Sequence, residues 1–108
     1  MAILEKTITD RSFDELLHTI ERGIPESSLS ADLEDGSDFA EGGARCSVRV
    51  FERYSMTGSN RVSLSVTLFQ NGGPIHLSAI ASGGSQAVLF KVNTLGEEAF
   101  LDVLRELL

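Results

Sequence analysis

Apolar and polar side chains alternate with the period of a strand through the middle of the chain. Cys46, Val48 and Val50 form one set, Val62, Leu64, Val66 and Leu68 a second, and Ile75, Leu77, Ala79 and Ala81 a third. The stretch Arg45 to Val92 therefore predicts four consecutive antiparallel strands. Asn71-Gly72 and Gly83-Gly84 read as two-residue hairpin turns, because glycine and asparagine accept the positive φ such turns require. The first turn sets Leu68 opposite Ile75, Val66 opposite Leu77 and Leu64 opposite Ala79. The second sets Ala79 opposite Val88, Leu77 opposite Phe90 and Ile75 opposite Val92. Both turns put the same residues on one face, and a one-residue slip would turn every side chain over.

The flanking segments follow other periods. Residues 2–9, with β-branched Ile3, Thr7 and Ile8, predict a first strand. Ser12 and Glu15 have capping-box spacing ahead of an apolar stripe of Phe13, Leu16, Leu17 and Ile20, so a helix starts there. Gly23 is its expected end, with Pro25 just beyond. Residues 28–34 alternate Leu29, Ala31 and Leu33 with polar neighbours and predict a short, charged edge strand. Residues 35–43 read as a loop. Thr94 and Glu97 repeat the capping spacing before a second helix, whose buried stripe is Phe100, Val103, Leu104 and Leu107. The result is one α+β domain over residues 1–108. It follows the order strand, helix, antiparallel meander, helix, with a single sheet of about five to six strands and both helices on one face.

Charge narrows the function classes. The net charge is −7, and Glu26, Asp32, Glu34, Asp35, Asp38 and Glu41 fall in a segment without lysine or arginine. Phosphate neutralisation needs a basic surface, so a nucleic-acid binder is not expected. No apolar run has the length of a membrane span, and the N-terminus lacks the pattern of a signal peptide. A single cysteine fits a reducing cytoplasm.

The element order resembles a reduced helix-grip fold, in which a curved antiparallel sheet wraps a C-terminal helix. That resemblance implies an apolar ligand between helix and sheet. Phe51-Glu52-Arg53-Tyr54-Ser55 and Ser82-Gly83-Gly84-Ser85-Gln86-Ala87 resemble a family of short bacterial proteins of unknown function, which implies no activity.

Two groups of residues are candidates for function. Continuing the alternation puts Glu52 and Tyr54 on the apolar face, with Glu52 opposite Leu64 and small Ala79 and Ala81 nearby. Glu52, Tyr54, Ala79 and Ala81 would then line a ligand pocket with a polar end. A desolvated Glu52 would have a raised pKa suited to acid–base work, whereas near a strand end it would reach solvent or pair with an arginine. The outward face would carry Arg45, Arg49, Phe51, Arg53, Phe69, His76, Ile80, Leu89 and Lys91. Apolar groups and arginines mixed in this way suit a homodimer interface or an anionic ligand. An ordinary solvated sheet face would look similar. Cys46 is expected in the core and His18 in solvent. No spacing indicates a metal site, a cofactor or a catalytic residue. The expectation is a non-enzymatic, cytoplasmic interaction domain, with an apolar-ligand domain as the alternative.

Overall fold

The computed structural model describes residues 1–54, 61–83 and 90–108, the last stretch by backbone alone up to residue 95. Its elements are β1 (Ala2–Ile8), α1 (Phe13–Ser27), β2 (Asp32–Glu41), β3 (Ala44–Tyr54), β4 (Arg61–Asn71), β5 (Ile75–Gly83) and α2 (Phe90–Arg105). The five strands form one antiparallel sheet in the order β1-β5-β4-β3-β2. Both helices pack on the same face, α1 over β2, β3 and β4 and α2 over β1, β5 and β4. The fold is α+β in two layers.

Helix α1 begins where its cap allows. Ser12 is extended, and its hydroxyl accepts from the Glu15 amide at 3.1 Å. The helix passes Gly23 and ends at Ser27 with Pro25 inside its last turn. Proline removes one donor there. Fully buried Ile24 extends the stripe of Phe13, Leu16 and Ile20 and holds that turn on the sheet. Gly23 serves packing rather than termination, since a Cβ on it would lie 2.7 Å from Leu107 Cδ2. Arg11 ties the same corner by donating to the carbonyls of Leu107 and Leu108.

Four expectations about the strands are corrected. The acidic segment 35–43 is not a loop: β2 runs from Asp32 to Glu41 as an exposed edge strand, bulged between Leu33 and Asp35. It turns into β3 at Gly42 and Gly43, both at positive φ. The β4–β5 register is Leu68↔Leu77, Val66↔Ala79 and Leu64↔Ala81, two residues from the expected one, because Gly73 and Pro74 also belong to the turn. An even shift keeps every side chain on its face. The strand expected around Phe90 and Val92 is the start of α2 instead, and Val88 and Leu89 lie outside the described residues. The edge of β5 is taken by β1, through Ile8↔Ile75, Leu4↔Ala79 and Ala2↔Ala81. Thr94 is consequently inside α2. The buried carboxylate of Glu97 accepts from the Gly83 amide at 2.7 Å and lies 2.5 Å from the Met1 amino group.

The largest correction is to β3. Its pairing with β4 is Arg53↔Val62, Phe51↔Leu64, Arg49↔Val66 and Ser47↔Leu68, an odd step from the expected register. Phe51, with no exposed surface, is core, while Cys46, Val48 and Val50 lie on the open face. Phe51→Ala is expected to destabilise the dilute protein by about 3–5 kcal/mol and Val50→Ala by about 1 kcal/mol or less. Urea unfolding checks the pair, and the reverse order would contradict this assignment of faces.

Candidate interaction face

The inversion of β3 sends its arginines under the helices. Arg45 lies over the Phe13 ring, 3.9 Å from its centroid, and pairs with Asp14 at 3.0 Å. Arg49 is nearly buried and donates to Glu21 of α1 at 2.8 Å, to Asp38 of β2, and to the carbonyls of Ser37 and Val48. Burial opposes its charge, but the two carboxylates outweigh that and raise its pKa. Gly36 makes room for it, since a Cβ there would lie 2.7 Å from Arg49 Cδ. Arg53 covers the Phe100 ring at 4.5 Å and donates to the Ser28 hydroxyl, and burial lowers its pKa. Arg45, Arg49, Phe51 and Arg53 are therefore not on an exposed interaction face. Leu89 lies outside the described residues and Lys91 is described by backbone alone.

The pocket candidates are also separated. Ala79 and Ala81 are fully buried on the helix side, where Phe100, Leu101 and Leu104 of α2 are fully buried as well. Glu52 and Tyr54 are on the opposite face. Arg61 donates to Glu52 at 2.8 Å and lies 5.1 Å from the Tyr54 ring centroid, and these two hydrogen-bond partners, Glu52 first, raise the Arg61 pKa. The four residues do not form one site.

The open face is built from lines of side chains across the strands. One line is Phe39, Cys46, Phe69, His76 and Thr7; the next is Ser37, Val48, Thr67, Ser78 and Glu5; the third is Asp35, Val50, Ser65, Ile80 and Ile3. On the central strands β3, β4 and β5 these lines contain no carboxylate, lysine or arginine. Phe39, Phe69, Ile80 and Ile3 are 64%, 41%, 39% and 56% exposed. The Phe69 and His76 rings stack at 6.4 Å. A hollow of about 410 Å³ is lined by Glu5, Lys6, Thr7, Thr67, Phe69, His76, Leu77 and Ser78. A second, of about 210 Å³, lies between Phe39, Cys46 and Phe69 near the β2–β3 turn.

Phe69, His76 and Ile80 are thus where the alternation placed them. Sequence reasoning missed Phe39, which it assigned to a loop, and Ile3. The signal for Phe39 was the Gly42-Gly43 pair, a hairpin turn that implies a strand before it.

Cys46 and His76 are two strands apart, about 10 Å, too far for proton transfer between them. Among the described residues, no group of three His, Cys, Asp or Glu is placed to hold a metal ion. No helix among them is long and apolar enough to cross a membrane.

The arrangement around Arg49 is pH-sensitive through Asp38. The Ser47 hydroxyl donates to Asp38 at 2.6 Å and Arg49 adds its charge; against some opposing burial, they hold this carboxyl below its ordinary range. Its contribution to stability is complete above the unfolded carboxylate pKa of about 4 and is lost as pH falls through the lower folded value. The urea midpoint is expected to fall more steeply between about pH 5 and 3 for the wild type than for Asp38→Asn. Equal slopes would show that the Asp38 charge is not coupled to folding.

The chain belongs to a family described as a family of unknown function (DUF6054), whose model matches residues 1–108. No curated protein and no solved structure matches it.

Proposed function

We propose that this member of the DUF6054 family is a non-enzymatic interaction domain that self-associates through the open face of its sheet. The observation that carries this reading is an uncharged face centre, with Phe39, Phe69 and Ile80 exposed, on a chain of net charge −7. Two acidic copies repel wherever their carboxylates meet, so a neutral surface is the favourable place for contact. Five strands spaced about 4.8 Å apart and about 30 Å long offer roughly 700 Å² per copy, close to the ~800 Å² per partner of a standard interface.

The sheet edges argue against the other route to self-association. Edge strand β2 carries Asp32, Glu34, Asp35, Asp38 and Glu41 and no base. A symmetric antiparallel pairing of two β1 strands in full overlap sets Glu5 against Glu5 of the second copy. A C-terminal helix on an antiparallel sheet supports the likeness to a reduced helix-grip fold, with α1 sharing the covered face. A reducing cytoplasm suits a single thiol on the open face.

At tens of micromolar, light scattering on the eluting protein is expected to give twice the chain mass for the wild type. Phe69→Asp and Ile80→Asp are expected to give monomers of wild-type helix content. A wild-type monomer throughout, or dimers unaffected by both substitutions, would overturn the reading.

A further inference from the structure

The open face carries a projecting aromatic on one side of its middle strand and a hollow that extends to the other side. Phe39, 64% exposed, stands on β2, two strands from β4 on one side. The 410 Å³ hollow spans β4, β5 and β1, lined by Phe69 and Thr67 on its β4 side and by Thr7, two strands from β4, at its far end. Phe39, Phe69, His76 and Thr7 belong to one line across the sheet, so knob and hollow are level along the strand direction. A two-fold axis between two facing sheets, parallel to β4, exchanges the two sides of each sheet without moving a residue along its strand. Such an axis sets each Phe39 over Thr7, at the far end of the hollow of the other copy.

We propose that this is the geometry of the dimer: Phe39 of each copy enters the β1 end of its partner's hollow, against Thr7 and His76. The inference rests on self-association through the open face and adds the occupant of the hollow. It satisfies the requirement of a two-fold interface, in which residue i meets j and j meets i. The His76 ring, stacked on Phe69, gives an incoming ring an aromatic contact, and the Thr7 methyl is apolar. The hollow spans the line of Thr7 and His76 and the next line of Glu5, Ser78 and Thr67. That length accommodates the angle of about 30° at which aligned sheets pack. Phe39 is the group to anchor the contact because an exposed aromatic that enters a partner's pocket is the usual form of a hot spot.

The same axis sets Ser37 of one copy over Glu5 of the other, while within one copy they are four strands apart, about 19 Å. The test is therefore a Ser37→Cys, Glu5→Cys, Cys46→Ser protein treated with a bismaleimide too short to span four strands. Covalent dimer is expected, and adding Phe39→Asp is expected to abolish it. In the otherwise wild-type chain, Phe39→Asp is expected to raise the dimer dissociation constant about thirtyfold or more. Phe39 is exposed, so the substitution leaves the fold intact, which circular dichroism verifies. A stable dimer that neither cross-links nor responds to Phe39→Asp overturns this geometry and leaves the open-face reading standing. A dimer that responds to Phe39→Asp without cross-linking also overturns the two-fold placement. A monomeric wild-type chain overturns both.

Discussion

Arg49 lies between β2, β3 and α1 with its guanidinium bonded to Glu21, Asp38 and two backbone carbonyls. Left unpaired, a charge this far from solvent would be strongly destabilising; paired, it adds little net energy over a well-packed apolar residue. Its effect is selection. Turning β3 over would strip Glu21 and Asp14 of their partners and push Phe51 into water. Asp14, Glu21 and Ser28 follow at seven-residue intervals along α1 and its cap, about 10 Å apart. Arg45, Arg49 and Arg53 follow at four-residue intervals along β3, about 13 Å apart. Flexible arginine stems absorb the difference, so one row of side chains sets the rotation of α1 and the facing of β3 together.

That seam also shapes the opposite surface. With β3's arginines consumed by the helix layer, its outward positions at the centre of the sheet are Cys46, Val48 and Val50, with Glu52 and Tyr54 toward the strand end, flanked by the hydroxyls and rings of β4 and β5. Acidic residues collect on β2, where charge discourages strand addition, and on the exposed side of α1. A chain with a large negative charge thus retains one face with a neutral centre. Its neutrality follows from where the basic groups were used, not from a shortage of charged residues.

Part of this face was legible. Phe69, His76 and Ile80 lie on β4 and β5, whose alternation of large apolar with hydroxylic residues permits one reading only. Phe39 was hidden because Asp35, Gly36, Ser37 and Asp38 have low strand propensity, and tertiary pairing with β3 overrode it. The hollow was hidden for a different reason. Its walls come from β1, β4 and β5, and it exists because β1 crosses to the free edge of β5, a pairing of residues about seventy positions apart.

By itself the sequence determined that two helices form, the capped start of α1, and the inner and outer positions of β4 and β5. Each rests on spacings within a dozen residues, where side chains at period 2 or 3.6 must share a face whatever the rest of the chain does. The tertiary structure decided the facing of β3 and the neighbour of β5. In β3 both faces alternate comparably, valines and cysteine on one and Arg45, Ser47, Arg49, Phe51 and Arg53 on the other, so local hydrophobicity favours the wrong side. The balance is tipped by carboxylates from α1 and β2 and by apolar rings under the guanidinium planes. Most of those partners are distant in sequence, and the free energy of meeting them exists only in the assembled fold.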